Sequence, residues 1–136
     1  MTQEEKQLLL KDLCARLPYG VIVHFDGWNP EKLTDIDLLT MVVNGMGRLP
    51  KPYLRPMSSM TKKERDILSS NGLRLMTDGS FNNICDITDG RWDNCYVDTE
   101  SFEICIDLFN SHHLDWKGLI KKGLALEAPE GMYEIS

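Results

Sequence analysis

The sequence predicts a single α+β domain, a small antiparallel sheet with N-terminal, central and C-terminal helices packed on it. Two helix starts are signalled by capping boxes, Thr2 with Glu5 and Thr61 with Glu64, in which a hydroxyl accepts from a helix amide and a carboxylate reaches back to the cap. Between them, Val21, Val23 and Phe25 alternate with Ile22, His24 and Asp26 in a β-branched-rich run, the pattern of a strand. A chain of 136 residues, 42% hydrophobic and 26% charged, is large enough for one core and too small for two independent ones.

In chain order, Leu9, Leu10, Leu13, Cys14 and Leu17 recur at helical spacing behind the Thr2 cap, and Pro18 stops that helix. The strand from Val21 follows, with Asp26-Gly27 as its turn. Within Lys32 to Val43, Leu33, Ile36, Leu39 and Val43 also fit a helix, but the strand before and Asn44-Gly45 after favour β, and the expectation is a strand. Pro52 and Pro56 hold Lys51 to Arg55 extended, so Tyr53 and Leu54 lie on a stiff, non-helical strip. The Thr61 box then starts a helix at Lys62, and Gly72 suits the left-handed residue after it, bringing Leu68 towards Leu73.

Leu73 to Met76 reads as extended, Thr77 to Ser80 as a turn, and 84–97 as a hairpin about Asp89-Gly90 that sets Cys85 nearly opposite Cys95. Phe102, Cys105, Ile106 and Phe109 share a helical face after a cap at Asp98 or Thr99. Asp115 is expected to cap a last short helix ended by Gly123, with Leu114, Leu119 and Leu124 closing one apolar cluster around it.

Composition bounds the function. No apolar run is long enough to span a bilayer, and the opening Gln3, Glu4, Glu5 and Lys6 is not a signal-peptide start, so a cytoplasmic chain away from membranes is expected. The four cysteines, Cys14, Cys85, Cys95 and Cys105, form no CxxC pair and read as thiols in a reducing compartment. A net charge of −6 disfavours non-specific nucleic-acid binding, yet the charge is uneven. Residues 48–74 carry seven Lys or Arg against Glu64 and Asp66, whereas 76–115 carry nine Asp or Glu against Arg91.

Two phrases, KPYLRPMSSMT at 51–61 and HHLDWKGLIKKGLALEAPEGMY at 112–133, resemble a family of short proteins encoded by gut bacteria and their phages or mobile elements. The resemblance covers about a quarter of the chain and implies an origin. It brings no activity, cofactor or catalytic residue to carry over.

His112, His113 and Asp115 form the most site-like cluster, since imidazoles and a carboxylate bind metals or exchange protons. Adjacent histidines point apart, however, Asp115 already serves as a cap, and neither HxxxH nor HExxH spacing is present. Both histidines are therefore expected to be silent in folding and activity when replaced by alanine. Asp86, Asp89 and Asp93 lack the alternation and terminal Glu of a calcium loop. Phosphate-cradling and nucleophile-elbow motifs are missing too, and no catalytic residue, metal or cofactor is assigned.

Tyr53 between Lys51 and Arg55 has the makings of a base-stacking platform with phosphate-holding neighbours, against the favoured reading of a core tyrosine beside solvated bases. Trp28, Trp92 and Trp116 suit either a partner surface or the core. The leading expectation is a non-enzymatic protein-interaction or regulatory module, phage- or mobile-element-related, whose partner surface includes Lys51, Tyr53, Arg55, Lys62, Lys63, Arg65 and Trp92. A nucleic-acid-associated accessory protein using the basic 48–74 segment comes second, and a small hydrolase or metal enzyme third.

Overall fold

The structure, a computed structural model, describes residues 2–43, 49–71 and 99–133, with side chains omitted at 42, 43 and 99–102. The expected Asn44-Gly45 turn, the Gly72 cap with Leu73, the extended 73–76 segment, the 84–97 hairpin with Cys85, Cys95 and Trp92, and the aspartates around Gly90 lie outside the described residues.

Helix α1 (Gln3–Arg16) starts as its sequence signals: Thr2 Oγ1 accepts from the Glu5 amide at 3.1 Å, and Glu5 Oε1 accepts from the Thr2 amide at 2.9 Å. Pro18 sits in a 3-10 turn, Leu17–Tyr19, which hands the chain to Gly20 at φ 72. Strand β1 (Ile22–His24) follows, with Val21 and Val23 wholly buried against Leu9 and Leu13 of α1. The chain reverses through Asp26-Gly27, where Gly27 takes φ 82, into β2 (Glu31–Lys32). Those two strands pair antiparallel, Val23 with Glu31 and Ile22 with Lys32.

The strand expected over 32–43 is overturned: only Glu31–Lys32 is extended, and Asp35–Val43 is helix α2. The start of α2 is fixed by Thr34 and Asp37, each side chain accepting from the other's amide at 3.1 Å. That exchange is a capping box with aspartate in the third position, and it outweighs the β reading drawn from the flanking turn signals. Leu38 and Met41, three apart, are buried beside Leu33, while Ile36 and Leu39 face solvent.

Strand β3 (Lys51–Leu54) realises the expected stiff strip and lies inside the sheet, whose order is β2-β1-β3-β4. It pairs antiparallel with β1 and parallel with β4 (Leu126–Glu127), Tyr53 opposite Leu126 and Leu54 opposite Glu127. The sheet is therefore mixed, where the sequence suggests an antiparallel one. A parallel neighbour needs a long crossover. Here the chain between β3 and β4 includes α3 (Lys62–Ser70) and α4 (Thr99–Ser111) before returning to the sheet edge.

Helix α3 begins at Lys62 as expected, its Thr61–Glu64 box closed in both directions at 2.7 and 3.2 Å. Leu68 of α3 packs with Cys105, Leu108 and Phe109 of α4 and with Met57, Met60 and Leu114. The helix expected after Asp115 is instead a run of turns. Gly118 and Gly123 adopt φ 73 and 76, left-handed values that end any helical hydrogen-bond ladder before it lengthens. Asp115 still acts as a cap, taking the amides of Leu119 and Ile120 on its two oxygens at 2.7 and 3.0 Å. The single cluster expected for the three leucines is divided: Leu114 joins the α3–α4 core, while Leu119 and Leu124 join Leu54 and Ala125 beneath the sheet.

Among the described residues, four helices and four short strands make up an α+β fold, and no helix is long and apolar enough to cross a membrane.

Candidate functional site

The two phrases that stand out in the sequence meet at Arg55. Its amide donates to the His113 carbonyl at 2.7 Å, and its own carbonyl accepts from the Asp115 amide at 2.9 Å, so Arg55 and Leu114 form a parallel bridge beyond β3. Arg55 is 7% exposed, and its guanidinium turns inward and donates to both oxygens of Glu64 at 2.7 and 2.9 Å. The same two terminal nitrogens also donate to the carbonyls of Ser59, at 3.1 Å, and His112, at 3.3 Å. Such a fork matches a carboxylate in a way that a lysine does not.

Glu64 receives two further bonds, from the Thr61 amide and from Nδ1 of His112, each at 2.7 Å. Burial alone disfavours its charge, but the hydrogen bonds from Arg55, the Thr61 backbone and His112 outweigh that and hold its pKa at about 2. The capping carboxylate of α3 is thus also the counter-ion of Arg55 and the anchor of His112. Three separate segments converge on it.

A second buried arginine serves the same corner from α1. Arg16, wholly buried, donates to Asp12 Oδ2 at 3.0 Å, to the Phe109 carbonyl at 3.3 Å and to the Leu114 carbonyl at 2.7 Å. A cation at the end of α4 meets the negative pole of the helix, sharing the Phe109 carbonyl with the Leu114 amide. Lys117 Nζ lies 3.8 Å from Asp12 Oδ1 and 5.2 Å from the centre of the Trp116 ring. Burial raises the Asp12 pKa against the pull of Arg16 and Lys117.

His113 turns the chain at φ 57 and stacks on Tyr133 with ring centres 3.9 Å apart. Burial, helped by the Arg16 charge, lowers its pKa to about 4, so it is neutral at pH 7. The Tyr133 hydroxyl accepts from the Ile22 amide at 2.8 Å and donates to the Tyr53 carbonyl at 2.7 Å, tying the C-terminal turn across β1 and β3. Burial pushes its pKa up to about 12. Among the described residues, Asp12 Oδ1 and His113 Nδ1 are buried without a hydrogen-bond partner, and no three His, Cys, Asp or Glu side chains are grouped to hold a metal.

The expected partner-surface residues are dispersed. Lys62, Lys63 and Arg65 are exposed on α3, while Lys51 is half-buried in β3. Tyr53 is half-buried, its ring edge-on to His24 at 6.2 Å, and Arg55 is inside the molecule. His112 and His113, expected to be silent, are instead bonded to Glu64 and packed on Tyr133. Trp116 stacks on Phe109 at 5.9 Å, whereas Trp28 stands in the β1–β2 turn.

Asp12, Arg16 and Tyr133 join these networks although no motif marks them in the sequence. The spacing of the first two is a signal all the same: they sit four apart and in phase with Leu9 and Leu13, which places the pair on the buried stripe of α1. A cleft of about 440 Å³ is lined by Arg55, Pro56 and Thr61 together with residues 127–131 and Tyr133.

Outside these networks, the surface carries large apolar side chains. Ile36 and Leu39, 76% and 66% exposed, share the outer face of α2, and Trp28 is 71% exposed. Fold and surface together define a small α+β domain with an inward-facing polar framework and an apolar outer helix face. No family model, curated protein or solved structure matches the chain.

Proposed function

We propose that the chain is a protein-interaction module that docks a partner on the outer face of α2. The observation that carries this reading is the exposure of Ile36 and Leu39 at i and i+3 of one helix, with Trp28 exposed as well. Burying an isoleucine or leucine fully contributes about 1.5–3 kcal/mol, so a partner gains from covering them. In support, the hydrogen bonds of Arg55, Glu64, His112 and Arg16 run to one another, to Asp12 and to the backbone, a structural use of these side chains. The resemblance to short gut-bacterial, phage and mobile-element proteins supports a role in that setting. Cys14 and Cys105, both free thiols, suit the cytoplasm.

Pull-down from a lysate of the native host with the wild-type chain and with Ile36→Ser/Leu39→Ser tests it. The expected result is a partner captured by the wild type and lost from the double variant. Equal capture by both moves the docking surface elsewhere.

A second reading, an accessory protein on nucleic acid, is favoured by the exposed trio Lys62, Lys63 and Arg65. It is weakened by Arg55, whose charge is spent on Glu64. Filter binding over a salt series separates the two, because phosphate contacts weaken steeply as salt rises.

A further inference from the structure

We infer that the α2 face takes an amphipathic protein segment whose apolar residues are flanked by lysine or arginine, an inference that rests on the interaction reading above. The argument is charge complementarity around an apolar centre. Residues 26–43 contain Asp26, Glu31, Asp35 and Asp37 against Lys32 alone. Lys32 lays its stem across Gly20, on the α1–β1 connection. Asp37 is engaged by the Thr34 amide, but Asp35 is exposed and lies one helical turn from Leu39, on the side of the helix that Leu39 occupies. Glu31 is exposed at the end of β2 that leads into the helix, and the Asp26 side chain is fully exposed in the preceding turn.

The apolar pair is thus set in a stretch with an excess of negative charge, four acids against Lys32, of which Asp26 also lies 3.5 Å from His24 Nε2. A partner segment with basic flanks is drawn to it and oriented on it, while an acidic segment of equal apolar content is rejected. A second copy of this chain is the poorer occupant, because an isologous α2–α2 contact brings the two Asp35 carboxylates and their acidic surroundings together. The chain's own exposed bases Lys62, Lys63 and Arg65 stand on α3, whose face holds no comparable apolar pair to place against α2.

The probe is a synthetic amphipathic helix of about eighteen residues made of leucine and lysine, with its leucine–glutamate counterpart as control. Binding to the full chain is read by calorimetry from about 0.05 M to about 0.5 M salt. The expected result is saturable binding of the lysine peptide, at least about tenfold tighter than the glutamate peptide and weakened by salt. Ile36→Ser/Leu39→Ser and Asp35→Lys each reduce it about tenfold, and Glu130→Lys, an exposed acid on the C-terminal turn, leaves it unchanged. These positions are exposed, so the fold tolerates the changes.

Equal binding of the two peptides, or none of the lysine peptide, overturns the basic partner, while the lysate comparison still decides whether α2 docks a protein. Tight binding that survives Ile36→Ser/Leu39→Ser overturns the α2 face in both readings. Self-association in sedimentation that the same double variant abolishes assigns the face to a second copy and overturns the inference.

Discussion

Arg55 and Glu64 face each other across nine residues of chain as a buried, two-pronged ion pair, with one guanidinium nitrogen on each carboxylate oxygen at 2.7 and 2.9 Å. The pair welds the end of β3 to the start of α3, and through His112 and the backbone of His113 and Asp115 it welds both to the corner after α4. Removing one partner strands the other charge in the interior. Arg55→Ala and Glu64→Gln should each destabilise the fold by about 3–5 kcal/mol, read by urea denaturation. A cost below about 1 kcal/mol in either variant means that the corner does not depend on the pair.

The same carboxylate sets one pH window and His113 another. Glu64 has a folded pKa of about 2 against an ordinary 4.5, so its contribution is complete above 4.5 and is lost as pH falls towards 2. His113 has a folded pKa of about 4 against 6.5; between those values the unfolded chain binds the extra proton, and stability falls as pH drops from 6.5 to 4. Thermal unfolding should therefore weaken first between pH 6.5 and 4, before the carboxylate window completes the loss. Nuclear magnetic resonance of the His113 ring checks the assignment, with a titration midpoint near 4 expected and one near 6.5 contradicting it.

Tyr133 closes the sheet from the far end of the chain. Its hydroxyl serves the Ile22 amide and the Tyr53 carbonyl together, and Tyr133→Phe leaves that amide without its partner while keeping the ring on His113. A loss of about 1–3 kcal/mol is expected, with faster hydrogen exchange at Ile22. Unchanged protection at Ile22 would show that water replaces the hydroxyl at no cost.

What the sequence made legible was local. Thr2 with Glu5 and Thr61 with Glu64 announce their helices because a capping box is written in residues three apart, and the alternation about Val23 announces β1 for the same reason. Thr34 and Asp37 are just as local, but the third position holds aspartate and the turn signal at 44–45 argued for a hairpin, so α2 was read as strand. The Asp115 cap, the Leu114–Leu119 spacing and the Gly123 stop all suggest a helix, whereas two left-handed glycines divide the run into turns. The direction of β4 and the convergence on Arg55 depend on contacts tens of residues apart, and nothing in the spacing of Arg55, Glu64 and His112 announces that they touch. Charged residues belong at the surface by default, so residue type does not mark Arg55 and Arg16 as buried; their long-range partners do that.

Leu119 gives the sharpest test of how the C-terminal turns are held. The segment from Asp115 to Gly123 contains no helix to sustain it, so its shape rests on packing and on a few directed bonds. Leu119 supplies both: its side chain is wholly buried against Leu54, Leu124 and Ala125, its amide donates to Asp115, and its carbonyl accepts from Leu124 at 3.0 Å. Leu119→Ala removes only the side chain and should cost about 2–5 kcal/mol, the range for a leucine cavity in a core that relaxes incompletely. Asp115→Ala keeps the side chain but strips the amides of Leu119 and Ile120 of their acceptor, a loss of about 1–3 kcal/mol. Because both changes loosen one unit, the double variant should lose less than the sum of the singles. Strict additivity in denaturation would mean that the Leu119 side chain and the Asp115 cap hold the chain independently, and that the turn is not a single clasp.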